Sequence, residues 1–176
     1  GGRVLRPNGT AYSFTGSPAN GGLVSFAADA EAIFFGGSAT AYQGMVYAAR
    51  GGVRLAGNPG LWGSALAGGS PTQGKVVLDA GATVRYPTGL FPSAAWIPDI
   101  PGGPTVTCAG NPWFGAAAIV ANGDAVLNSS VFVRSDPPTA LSADVLTNGS
   151  FLGGAATVEG DISAGGTVTA NPALVG

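Results

Sequence analysis

Between Tyr47 and Tyr86 the chain sets four cations, Arg50, Arg54, Lys75 and Arg85, among three aromatic residues, Tyr47, Trp62 and Tyr86. These are the groups of a nucleic-acid contact: cations for phosphates and an exposed ring on which a base can stack. In Val53-Arg54-Leu55 and Val84-Arg85-Tyr86 the arginine stands between apolar neighbours. On a strand, that alternation turns the arginine outward and its neighbours inward. Arg50, Arg54, Lys75 and Arg85 are therefore the candidates for phosphate contact, with Tyr47 or Trp62 for stacking. Four cations over 36 positions are few. A pI near 4.7 also argues against strong general affinity for polyanions.

Other chemistries find less support. Asp29 and Glu31, and Glu159 and Asp161, stand two apart and share a face if they lie on strands. A general acid/base pair needs carboxylates converging from different parts of the fold, whereas two acids on one strand usually form a solvated face. Asp124, Asp144 and Asp161 lack the repeated spacing of a calcium loop, so no metal is expected. Histidine is absent, which removes the commonest general base and metal ligand together. Cys108 is the only cysteine, so no internal disulfide can form, and it reads as a small buried residue. Asn8-Gly9-Thr10, Asn128-Ser129-Ser130 and Asn148-Gly149-Ser150 match the glycosylation sequon, yet all three are ordinary turn sequences. Thr105-Val106-Thr107 and Thr167-Val168-Thr169 are too few for the flat threonine array of an ice-binding solenoid. No cofactor and no enzymatic activity are expected; a polysaccharide-active β-helix enzyme is a remote alternative.

The elements that would position these residues are short strands. Apolar runs such as Val53-Arg54-Leu55-Ala56, Lys75-Val76-Val77-Leu78-Asp79 and Ala125-Val126-Leu127 are separated by Gly, Asn and Pro. Period-two alternation and β-branched residues recur in both halves of the chain. Three segments share an Asn-Pro turn followed by an apolar pair and glycine, starting at Asn58, Asn111 and Asn171. Their starts lie 53 and 60 residues apart, about three coils each if a coil holds roughly 20 residues. The predicted fold is all-β: a β-solenoid, or parallel β-helix, with three sides. Phe26–Ile33 is rich in good helix formers and reads as a helix or a small-residue strand. Pro87, Pro92, Pro98, Pro101 and Pro104 forbid a central strand there. Residues 1–87 thus read as a first solenoid half, 88–105 as a Pro-rich linker or excursion, and 106–176 as a second half continuing the stack.

Composition fits a tightly wound chain. Of 176 residues 31 are glycine, 45% are hydrophobic and only 9% charged, the reverse of a disordered segment. Residues 1–100 carry six cations against four anions, and residues 101–176 one against five. This asymmetry hints weakly at a polyanion-facing first half. No stretch is apolar for the roughly 18 residues a membrane helix needs. The final Ala170-Asn171-Pro172-Ala173-Leu174-Val175-Gly176 begins a unit and stops, as expected of a piece of a longer protein.

The run Gly44-Met45-Val46-Tyr47-Ala48, Val53-Arg54-Leu55-Ala56-Gly57-Asn58, Leu61-Trp62-Gly63-Ser64 and Val77-Leu78-Asp79-Ala80-Gly81-Ala82-Thr83-Val84-Arg85-Tyr86 resembles a β-solenoid module of surface proteins linked to bacterial type IV pili. The match covers about residues 40 to 87, and Gly115 to Val168 looks like further strands of that family. The resemblance implies extracellular display at the cell surface or pilus tip. It also implies assembly with other pilins through an N-terminal helix missing from this sequence. In the competence-associated minor pilins of the class, it implies a receptor for double-stranded DNA in natural transformation. The alternative is an adhesin or structural spacer that binds glycan or protein, which exposed Trp62, Trp96 or Trp113 would favour.

Overall fold

The computed structural model describes residues 4–6, 22–37, 41–87, 117–138 and 143–170. Sixteen strands run through them: β1 (Val4–Arg6), β2 (Gly22–Ser25), β3 (Ile33–Gly36), β4 (Ala41–Ala48), β5 (Val53–Ala56), β6 (Gly60–Ala67), β7 (Val76–Leu78) and β8 (Thr83–Pro87). They continue as β9 (Ile119–Ala121), β10 (Ala125–Leu127), β11 (Phe132–Asp136), β12 (Val145–Thr147), β13 (Phe151–Gly153), β14 (Thr157–Val158), β15 (Ile162–Ala164) and β16 (Val168–Ala170). Among the described residues there is no α-helix, and every strand pairing is parallel.

Parallel pairing without helices requires the chain to wind. One sheet has the order β1-β3-β5-β7-β10-β13-β16, and the other β14-β11-β8-β6-β9-β12-β15, with β2 and β4 joined through β6. The result is a solenoid-like stack. Ile33, Val53, Val76, Ala125, Phe151 and Val168 form one register row, at successive spacings of 20, 23, 49, 26 and 17 residues. The 49-residue step contains residues 88–116, so the predicted Pro-rich excursion at 88–105 lies outside the described residues, as does Cys108. On either side of it the stack is continuous, with β10 on β7 and β11 on β8.

The core is the inward half of each strand. Val53 and Leu55, Val76 and Leu78, Val84 and Tyr86, and Val131 and Val133 are buried, while the residues between them point out. Each fully buried Val, Leu or Ile contributes about 1.5–3 kcal/mol. Phe35 and Tyr42 stack inside with ring centroids 5.5 Å apart. Burial raises the Tyr42 and Tyr86 hydroxyl pKa values above the usual range.

Two glycines stand where β6 changes partner. Gly44 and Gly63 pair across β4 and β6 with φ of 131° and 151°, a region that L side chains rarely adopt. Residues before Gly63 pair with β8 and residues after it with β9, so one strand serves two directions of the second sheet. A Cβ on Gly63 would sit 2.0 Å from the Gly44 carbonyl oxygen.

Two buried serines make hydrogen bonds between segments far apart in sequence. Ser64 Oγ donates to the Ala117 carbonyl at 2.9 Å, at the far end of residues 88–116. Ser135 Oγ donates to the Glu159 carbonyl at 3.0 Å and accepts from the Ala143 amide at 3.0 Å, across residues 139–142. Both serines are 3% exposed.

The segment Phe26–Ile33 is neither helix nor uninterrupted strand. Residues 27–32 form a corner between β2 and β3, in which the Ala32 amide donates to the Asp29 carbonyl and Asp29 Oδ1 accepts from the Glu31 amide. Aspartate offers the backbone a local partner that competes with a helix. The register row at Ile33 then requires an extended strand, and this tertiary pairing overrides the alanine-rich propensity.

Candidate polyanion-binding face

The Val-Arg alternation places its arginines in a row. Gln43, Trp62, Arg85 and Arg134 are register partners on β4, β6, β8 and β11. All four are exposed, and Trp62 retains 41% of its surface. Parallel strands lie about 4.8 Å apart, so Arg85 and Arg134 stand one rung apart on the same side. Like charges directly opposite one another across strands are unfavourable. Two rings ease this pair: the Arg85 guanidinium lies 6.0 Å from the Trp62 ring centre and that of Arg134 4.5 Å from Phe132. Glu159 approaches Arg134 Nε at 3.9 Å and flanks the row at its end. The arrangement is a short cationic ladder with an exposed ring, able to take an anionic group between two guanidinium forks.

The six residues expected to act together do not form one surface. Trp62 and Arg85 meet as described. Arg54 lies on the other sheet, clamped between Glu31 at 2.5 Å and Asp79 at 2.8 Å. The hydrogen bonds it donates to Glu31 and then to Asp79 raise its pKa further. Asp79 Oδ1 in turn accepts from Asn128 Nδ2 at 2.9 Å, so the network crosses successive coils. Lys75 pairs with Asp124 at 2.7 Å. That hydrogen bond, with one from the Ser150 amide, holds the Asp124 carboxyl below its ordinary range. Arg50 is exposed in the turn after β4, away from the row. Tyr47 is half-buried on the outer side of the second half of β4, past the Gly44 bend from the row.

Arg134 and Phe132 had no place in the sequence expectation. Their signal was present: Val133-Arg134 repeats Val84-Arg85 after 49 residues, the spacing that separates Val76 from its register partner Ala125. Without the register, residues 88–116 hide this equivalence.

Among the described residues the carboxylates are taken up in separate ion pairs and turns. Glu31 and Asp79 flank Arg54, and Asp29 closes its own turn. Glu159 Oε2 accepts from the Ser135 amide, and the Asp161 amide donates to Asp144 Oδ1. Among the described residues no group of three His, Cys, Asp or Glu is arranged to hold a metal. Two of the three sequon asparagines lie in described turns and are engaged in the stack: Asn128 with Asp79, and Asn148 through Nδ2 to Asn122 Oδ1 at 2.9 Å. Asn8 lies outside the described residues, as do Trp96 and Trp113. Among family models, curated proteins and solved structures, none matches this chain.

Proposed function

We propose that this chain is a non-catalytic display module, a three-sided solenoid of the kind linked to type IV pili, that presents Arg85 and Arg134 to the phosphates of double-stranded DNA. Support for three sides comes from β6, whose two ends pair in different directions about the Gly63 bend, together with the separate first sheet. The observation that carries the binding reading is the Trp62–Arg85–Arg134 register row, in which two guanidinium groups and an exposed ring share one face. In this reading the module is extracellular, at the cell surface or pilus tip, with other pilins as its assembly partners.

The row also fixes the expected strength. Arg54 and Lys75 lie off this face, paired with Glu31, Asp79 and Asp124, so the face offers two phosphate contacts, Arg85 and Arg134, with Glu159 beside Arg134 as a competitor. The logarithm of the affinity then falls against the logarithm of salt with a slope of roughly −1.8. Binding of a 20-base-pair duplex, titrated from low to moderate salt, tests this beside an Arg85→Ala/Arg134→Ala variant. The expected result is weak, salt-sensitive binding that the double variant abolishes and an Arg54→Ala variant keeps. Absence of binding by the native chain, or a slope unchanged in the double variant, removes the DNA contact and leaves an adhesin or spacer.

A further inference from the structure

On the side of the stack beyond the Gly63 bend, the outward residues are apolar. Val24, Tyr47, Leu66, Val120 and Leu146 are register partners on β2, β4, β6, β9 and β12, and Ser163 follows on β15. From Tyr47 to Ser163 this row floors a depression of about 370 Å³. Leu66 is only 3% exposed although it points away from the core. One edge is polar. Asn122 and Asn148 stand one rung apart, with Asn148 Nδ2 on Asn122 Oδ1 and Asn122 Nδ2 on the Gly69 carbonyl at 2.8 Å. Gly68 keeps this edge low: a Cβ there would meet the Ala49 carbonyl oxygen at 2.9 Å, the Tyr47 hydroxyl at 3.3 Å and its ring at 3.4 Å.

We infer that this groove is a second binding site, for a neutral, β-linked hexose polymer lying along the stack. Three observations select that chemistry. No charged residue stands among the described residues that line the groove, so a charged ligand would lose its hydration there without compensation. The lining combines a ring and aliphatic floor with an amide edge, which suits a molecule having an apolar face and hydroxyl-bearing edges. The floor presents one side chain per rung, at about 4.8 Å. That repeat approaches the length of one sugar unit in an extended β-linked chain. An extended peptide fits less well, because a sheet face offers it side chains rather than the backbone edge that strand addition uses. The site is independent of the Arg85–Arg134 row, from which the bend at Gly63 separates it.

The test is calorimetric titration of the whole chain with cellohexaose, the hexamer of N-acetylglucosamine, and the anionic hexamer of galacturonate. At least one neutral hexamer is expected to bind. Val120→Lys, which puts a charge on the floor, should weaken it at least tenfold, and Asn148→Ala at the exposed edge about fivefold, each with the melting temperature within a few degrees of native. If Val120→Lys does not fold, Asn148→Ala supplies the reading alone. Arg85→Ala/Arg134→Ala should bind the neutral hexamer as the native chain does. The inference is overturned if neither neutral hexamer binds at millimolar concentration, if galacturonate binds better, or if the groove variants that fold leave affinity unchanged.

Discussion

Replacing Gly63 by alanine adds one methyl group at the place where β6 changes direction. Two costs follow from the geometry. At φ of 151° an L residue is strained, worth about 1–3 kcal/mol. The new Cβ would also stand 2.0 Å from the Gly44 carbonyl oxygen, a backbone atom on the neighbouring strand that cannot rotate away. Overpacking of that kind costs about 1–3 kcal/mol more. The sum, about 2–6 kcal/mol, is a large share of a stability that is typically 5–15 kcal/mol. For a chain of this size 1 kcal/mol corresponds to roughly 2–4 °C, so the melting temperature should fall by about 4 °C at the least and by more than 20 °C at the most. Urea unfolding followed by far-ultraviolet circular dichroism measures it directly. Gly154→Ala is the control, since a Cβ there meets nothing within 4 Å. It should change stability by less than about 0.5 kcal/mol, as surface substitutions do. Equal effects at the two glycines would refute the claim that the bend requires glycine.

Further outcomes are expected elsewhere in the stack. Phe151→Ala removes a fully buried ring and should cost about 3–5 kcal/mol in the same urea experiment. Asp124 has its pKa depressed mainly by Lys75, so the stability it contributes is present above the unfolded carboxylate value and lost as pH falls through the lower folded one. Lys75→Met should therefore raise the Asp124 pKa seen by NMR titration and move acid unfolding to higher pH. The Glu31–Arg54–Asp79 cluster is partly exposed; a double-mutant cycle on Arg54 and Asp79 should give a coupling of about 0.2–1 kcal/mol that shrinks in 1 M salt.

The strands were readable because alternation and turn residues are local signals. Val53-Arg54-Leu55 and Val84-Arg85-Tyr86 show inward and outward positions directly, and the structure has Arg54 and Arg85 outside with their neighbours buried. The corner at residues 27–32 was not readable, because alanine-rich propensity carries no information about the sheet that claims Ile33. The candidate face was half readable for a similar reason. Which cations share a face depends on register, and register depends on coil lengths that vary from 17 to 26 residues even where no long segment intervenes. The pairing of Lys75 with Asp124 spans 49 residues, and that of Arg54 with Asp79 spans 25. No local pattern announces such partners, so four cations that looked equivalent in sequence divide into paired and outward-facing ones.

The serine fastenings at Ser64 and Ser135 make the length of the chain and the height of the stack separate variables. Ser64 ties β6 to the residue two before β9, and Ser135 ties β11 to the residue two before β12, so strands with 29 or four further residues between them in sequence still pair in register. An insertion inside β7 or β10 would shift the pairing of that strand with both of its neighbours. The frame is therefore defined by which rungs pair, and not by how many residues of chain separate them.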